Sequence, residues 1–206
     1  MNTITSSRNT GKASPFQQLK ETTTEHHQRA EAAVELDQAL CSIESYRHCL
    51  EGFLEAWTPL ERLLASAPQF LPPDQEHRFR APLLHRDLTT LSDCSSFDQG
   101  VEERAVFPFT SGDLSRSRVL GVLYVLEGST LGGQIVTRRL QKRLQISPEN
   151  GGSFFYGHGP ETGLFWKRFT QWATPQLVDP VDLQEAAEAA QATFEFVAQT
   201  FQQPAP

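Results

Sequence analysis

The amino-acid sequence predicts an all-α fold in a single domain. Apolar residues recur at helical spacing along most of the chain, convincing β-strand patterns are absent, and 206 residues suit one hydrophobic core. Residues 1–13 are polar and lack an apolar face, so we expect them to form a disordered tail. Residues 14–203 then form the domain.

The first half of the domain contains two predicted long helices. The first begins at Ser14-Pro15, because serine caps helices and proline suits their first turn, and it extends to about Leu36. The second spans residues 43–64, where apolar side chains share one broad face. Brief helices and turns are expected in the proline-rich region around residues 77–91.

The second half contains one long helix and two shorter ones. A helical pattern interrupted by glycines runs over residues 113–144, and a loop rich in proline and glycine follows over 147–163. The last two predicted helices cover residues 165–173 and 182–202.

Charge and composition exclude several classes of protein. The net charge of −7 argues against a nucleic-acid partner, and the basic run at residues 138–143 is interpreted as a solvated helix face. The chain lacks a secretory leader pattern and an apolar stretch of about 18 residues, which predicts no membrane span. Three cysteines without metal-site spacing are typical of a reducing compartment, so a cytoplasmic location is expected.

The helix over 113–144 carries four glycines, at 121, 128, 132 and 133. Each interior glycine costs a helix roughly 0.5–1 kcal/mol relative to alanine, so the set requires a compensating reason. Gly121, Gly128 and Gly132 fall on one face. Two interpretations stay open: a flat ligand approaches the backbone there, or another helix packs closely against it.

Two adjacent histidines, His26 and His27, are predicted to lie on the inward side of the first helix. A neutral imidazole is a common ligand of transition metals and supplies an axial position to heme iron, whereas one such ligand is too few for a structural zinc site. The competing interpretation is an ordinary core or surface histidine. Helical periodicity does not choose between the two positions.

Both unusual helices resemble those of the heme oxygenase family. LKETTTEHHQRAE, residues 19–31, is similar to the family's proximal-helix motif LKxxTxxxHxxxE, and this resemblance selects His27 as the ligand of heme iron. GSTLGGQ, residues 128–134, resembles the distal-helix motif GDLSGGQ. Phe194 and Phe201 keep the spacing of two phenylalanines in the family's last helix.

The resemblance implies a helical domain that holds heme between the proximal and distal helices. It also implies oxidative opening of the porphyrin by O2, giving biliverdin, carbon monoxide and iron, with electrons from a ferredoxin or an NADPH-dependent reductase. The catalytic positions it implies are Gly128, Ser129 and Gly132. The substrate contacts it implies are Lys20, Thr23, Tyr124, Gly133, Lys167, Arg168, Phe194 and Phe201.

Ser129 stands where the family usually has an aspartate. The EGSTLGG form resembles the bacteriophytochrome-associated branch, which implies that biliverdin is supplied to a photoreceptor. The missing carboxylate motivates an alternative from another class, a non-catalytic heme- or bilin-binding protein. A third interpretation is a helical interaction domain whose glycines serve only packing.

Overall fold

This computed structural model describes residues 13–92 and 106–202. Within these ranges the chain forms eight α-helices and no strand. The all-α prediction is therefore confirmed. The predicted tail lies outside the described residues except for Ala13, so its disorder stays a prediction. The helices are α1 (Pro15–Val34), α2 (Leu36–Ala39), α3 (Ile43–Ala65), α4 (Ala81–Leu91), α5 (Arg116–Leu144), α6 (Ser153–Tyr156), α7 (Thr162–Ala173) and α8 (Pro180–Gln202).

Helix α1 begins at the predicted cap. The Ser14 hydroxyl accepts a hydrogen bond from the Gln17 backbone N–H at 3.2 Å, and Pro15 occupies the first turn. Helix α3 continues through Pro59 to Ala65. The predicted boundaries of the long helices are thus close to the observed ones.

The segment between α5 and α7 is more ordered than the sequence predicts. Instead of an open loop over 147–163, it contains α6 and a 3-10 turn at Gly159–Glu161. The buried carboxylate of Asp87 on α4 explains α6, because it accepts the backbone N–H groups of Ser153 and Phe154 at 3.0 and 2.7 Å. An acceptor from a distant helix satisfies donors that the short helix cannot satisfy itself.

Helix α8 is the centre of the packing, with α1 and α5 both lying along it. Four fully or nearly buried alanines on α8 let these neighbours approach closely: Ala186, Ala187, Ala189 and Ala190. The hydroxyl of Ser117 near the start of α5 donates to the Asp182 carboxylate at 2.8 Å. Helices α3, α4 and α6 complete the core on the other side of α5.

Helix α5 is long and apolar enough to cross a membrane by length and composition alone. Of its most apolar stretch, 61% is buried inside the protein. This burial is typical of a central core helix, which can be equally long and apolar without crossing a membrane.

Gly121 is required by the contact between α5 and α8. A Cβ there would overlap the carbonyl oxygen of Ala186, whereas a Cβ at Gly132 meets no atom within 4 Å. We expect Gly121→Ala to lower the free energy of unfolding by about 1–3 kcal/mol, because the helices must separate. Gly132→Ala should instead raise it by up to about 1 kcal/mol through helix propensity. Urea unfolding of the apoprotein measures both, and equal effects would contradict this packing account.

Candidate functional site

Helix α5 contacts α1 at one end of the site and the short helix α2 at the other. The Tyr124 ring of α5 lies 6.0 Å from the Phe16 ring of α1, and Tyr124 is also beside the buried side chain of Thr23. Beyond the end of α1, Arg139 of α5 pairs with Asp37 of α2. Between these two junctions each helix carries exposed positions, and we refer to the two stretches as the walls of the candidate cleft.

The α1 wall presents His27 and Glu31. The side chains are 52% and 66% exposed, and the His27 Nδ1 lies 3.5 Å from a Glu31 carboxylate oxygen. The carboxylate lies on the Nδ1 side of the ring, so Nε2 is the nitrogen left for another partner. Lys20 lies two turns before His27 on the same side of the helix and is exposed.

The α5 wall is a strip of glycines and exposed apolar side chains. Gly132 meets no atom within 4 Å of its Cβ position, and Gly128 meets only the Trp166 ring, at 3.8 Å. Leu131 and Ile135 are 41% and 56% exposed, which is unusual for large apolar residues in the middle of an otherwise buried helix. This strip leaves room for a flat apolar group.

Two of the four glycines of α5 serve close packing, and the other two leave space beside the backbone. Gly121 packs against Ala186 of α8, and a Cβ at Gly133 would overlap the carbonyl oxygen of Phe155. The three glycines predicted to share one face of α5 therefore differ in their surroundings, because α8 covers only the first part of that face. Gly133 is buried and serves packing, whereas its predicted role as a substrate contact is not tested.

Helix α8 lies beneath α1 beside His27. The ring of Phe194 lies 5.3 Å from the His27 ring in an edge-to-face arrangement. Phe194 is in turn part of a small apolar cluster with Ala30 of α1 and Val125 of α5, which brings the three helices together. Phe194 thus lies next to His27 at the contact between α8 and α1.

Phe201, two turns later on α8, is in a different environment. Its ring lies 5.0 Å from that of Phe53 and covers Gly52 on α3. The seven-residue spacing keeps Phe194 and Phe201 on one side of α8 but does not bring them to the same neighbours. Phe201 also borders a groove described below.

Ser129 is held by both its own helix and a distant arginine. Its hydroxyl donates to the Leu126 carbonyl at 2.7 Å and accepts from Nη2 of Arg80 at 2.6 Å. The same Nη2 also donates to the Leu126 carbonyl at 2.7 Å. A hydroxyl has one donor and two acceptor sites, so one lone pair of Ser129 remains outside these bonds.

A buried ionic network connects the segment before α4 to α5. Arg78 donates to Glu127 at 2.7 Å and makes two bonds to Asp74, at 2.7 and 2.9 Å. Burial raises the pKa of Glu127 and the nearby arginines oppose this rise, whereas the hydrogen bonds from Arg78 lower the pKa of Asp74. Glu61 of α3 accepts the backbone N–H groups of Arg80 and Ala81, so it caps α4.

Sequence reasoning missed Arg78, Arg80 and Glu127. One available signal is Glu127 itself, a lone charge in the apolar run VLYVLEG, because a buried carboxylate requires a cationic or hydrogen-bonding partner. The partners lie 49 residues earlier in a segment without a clear periodic pattern, so spacing alone does not reveal them.

Helix α7 forms the remaining border near Gly128. Trp166 packs 6.1 Å from Tyr124 and 5.8 Å from Phe16, all measured between ring centroids. Lys167 and Arg168 are both exposed. The Arg168 guanidinium lies over the Phe165 ring at 5.7 Å and its charge helps to lower the pKa of Asp74, which places it beside the ionic network.

A separate groove of about 600 Å³ lies between α1 and α8. It is bordered by His26 and Arg29, which point away from His27 by roughly 100° and 160° around the helix. The Nδ1 atom of His26 is buried and makes no hydrogen bond to the described residues. The two histidines that periodicity leaves equivalent therefore have different surroundings.

The chain resembles known proteins in sequence. A family model described as heme oxygenase matches residues 14–203. A heme oxygenase of Xanthomonas campestris is 33% identical over 120 residues, which are 58% of this chain and 65% of that protein. The alignment thus spans slightly less than two thirds of the relative's length.

Solved structures of heme oxygenases share the fold. The NO- and CO-bound enzyme of Neisseria meningitidis has a TM-score of 0.73 at 23% identity, covering 93% of this chain and 92% of that one. Heme oxygenase 2 of Chlamydomonas reinhardtii, solved without heme, has a TM-score of 0.74 at 17% identity, with coverages of 94% and 99%. With a family model that matches nearly the whole described domain, the chain belongs to the heme oxygenase family.

Proposed function

We propose that this protein binds heme between α1 and α5 and opens its ring. O2 and electrons from an external donor are consumed, and biliverdin, carbon monoxide and iron are released. The observation that carries the proposal is that an exposed histidine on the α1 wall accompanies a strip on the α5 wall in which two glycines lie among exposed apolar side chains. Heme is the substrate, and it also supplies the iron at which O2 is activated.

His27 is the proposed axial ligand. Its Nδ1 lies on the Glu31 side at 3.5 Å, and a carboxylate on one ring nitrogen raises the basicity of the other as a metal ligand. Phe194 restricts the ring from its edge. This combination supports His27 over His26, whose buried Nδ1 borders the separate groove.

The α5 wall fits the distal side of a macrocycle. A flat ligand can approach the backbone at Gly128 and Gly132 because neither carries a side chain and the space at Gly132 is open. Leu131 and Ile135 offer apolar contact whose burial by heme is favourable by roughly 25 cal/mol per Å². The close backbone also excludes bulk water from the reacting centre.

The remaining predicted contacts are assigned by their positions. Lys20 on α1 and Lys167 on α7 are exposed cations near the Tyr124 end of the cleft, which suits the propionates of heme. Thr23 and Tyr124 lie beside each other, so we assign them to the junction that closes this end. Arg168 lies beside Asp74 and is a weaker candidate for a propionate contact.

The donor and the recipient are also part of the proposal. A ferredoxin or an NADPH-dependent reductase supplies electrons, and biliverdin passes to a bacteriophytochrome in the cytoplasm. The EGSTLGG sequence, which resembles the phytochrome-associated branch, supports this recipient. Biliverdin formation in the presence of each donor class identifies the donor.

Ser129 in place of aspartate favours one alternative, a heme- or bilin-binding protein without turnover. A single-turnover assay separates the two functions: the heme complex is mixed with O2 and a competent donor, and the products are extracted. An enzyme gives free biliverdin and carbon monoxide. Heme recovered intact, or damaged without biliverdin, would favour the binding protein.

Replacing His27 with alanine should abolish the axial histidine ligand while leaving the fold intact, because the side chain is half exposed. Heme titration followed at the Soret band should show the loss of the histidine-ligated spectrum. His26→Ala is the matched control and should keep that spectrum. A spectrum lost in His26→Ala and retained in His27→Ala would reverse the assignment.

Gly132→Leu should block the cleft. The side chain enters the space that heme is proposed to occupy, so we expect heme affinity to fall at least about tenfold. The free energy of unfolding of the apoprotein should change by less than about 1 kcal/mol, because no described atom lies near the new Cβ. Unchanged heme affinity in this variant would place heme elsewhere.

A further inference from the structure

Arg80 is a buried cation directly behind Ser129. The residue is 4% exposed, and its guanidinium carbon lies 4.9 Å from the centre of the Phe154 ring and 5.7 Å from that of Trp57. Glu61 accepts the Arg80 backbone N–H at 2.6 Å, which holds the main chain at this position. The cation is thus fixed by packing and by its backbone, independently of α5.

The bonds of Arg80 to α5 go to neutral oxygens. Nη2 donates to the Leu126 carbonyl and to the Ser129 hydroxyl, at 2.7 and 2.6 Å. Neither oxygen carries a charge, although the carboxylates of Glu127 and Glu61 interact electrostatically with the buried guanidinium. In a low-dielectric interior the guanidinium charge acts over a longer range than in water.

The Ser129 hydroxyl is held in a single orientation by these contacts. Its proton points to the Leu126 carbonyl, and one of its lone pairs accepts from Arg80. Ser129 is itself exposed and lies one turn before Gly132, on the border of the open strip of α5. The structure thus connects a buried cation to the distal side of the cleft through one hydroxyl.

We propose that Arg80 is a positioning residue of this site, which orients Ser129 and gives the distal side of the cleft a positive charge that favours anionic ligands of the heme iron. This proposal rests on the proposed function. It also explains serine at position 129: a carboxylate there would pair directly with Arg80, whereas a hydroxyl accepts from Arg80 without adding a negative charge between the guanidinium and the cleft.

The test compares an anionic and a neutral ligand of the heme complex. Azide is titrated into the ferric complex and carbon monoxide into the ferrous complex of each variant. Arg80→Gln should weaken azide binding about tenfold, which corresponds to about 1.4 kcal/mol and is the scale of one partly screened charge. Carbon monoxide affinity should stay within about twofold, because the ligand is neutral.

Two further variants separate charge from geometry. Arg80→Lys keeps the charge but not the planar fork, so azide affinity should fall less than about threefold. Ser129→Asp leaves Arg80 in place and neutralises it, and should weaken azide binding at least as much as Arg80→Gln. Ser129 is exposed, so this variant remains informative if Arg80→Gln fails to fold.

Arg118→Gln is the matched control. Arg118 also lies over a phenylalanine, at 5.1 Å from the Phe109 ring, and pairs with Glu185 near the start of α5, away from the cleft. Its removal changes the net charge equally and should leave azide affinity unchanged.

Three outcomes would overturn the proposal. Azide affinity equal to wild type in Ser129→Asp and in any folded Arg80→Gln would show that the charge does not reach the site. Equal weakening of azide and carbon monoxide would show a merely structural role. A wild-type protein that binds no heme would overturn the proposed function first, and this proposal with it.

Discussion

The site depends on the separation of α1 and α5 between two fixed junctions. Both helices pack along α8, and the site ends at Tyr124 beside Thr23 on one side and at Arg139 paired with Asp37 of α2 on the other. Between these junctions each helix buries one side and leaves the other exposed, with His27 of α1 and Gly132 of α5 among the exposed residues. The exposed positions of the site are therefore a consequence of how the helix framework packs.

Buried arginines contact α5 next to Gly128, where glycine lowers the helix propensity. Arg78 and Arg80 come from one short segment and contact α5 at Glu127, Leu126 and Ser129. Removing one partner from such a network leaves an uncompensated buried charge, so the segment and α5 are coupled. His158 lies close enough that burial and these two arginines lower its pKa to about 4, which keeps the ring neutral at pH 7.

Much of the helical framework could be predicted from periodicity and caps, as Ser14-Pro15 shows. The proximal histidine and the distal glycine strip followed from a family resemblance on a few motif residues. Periodicity alone does not distinguish Gly121 from Gly128 and Gly132, because it does not reveal where α8 ends its contact with α5. The partners of Glu127 and Ser129 were not predictable, since they come from an irregular segment with no spacing signal. Likewise, α6 depends on Asp87, a contact across 66 residues.

The central claim is that heme lies in the cleft and not in the groove beside His26. Ferric heme is paramagnetic and broadens the NMR signals of nearby amides, so a comparison of apo and heme-loaded protein labelled with nitrogen-15 locates it directly. The account predicts strong broadening at Gly128, Gly132 and His27, with much weaker effects at Glu195, Gln199 and Gln202 in the groove. Stronger broadening along that groove than along the glycine strip would contradict it.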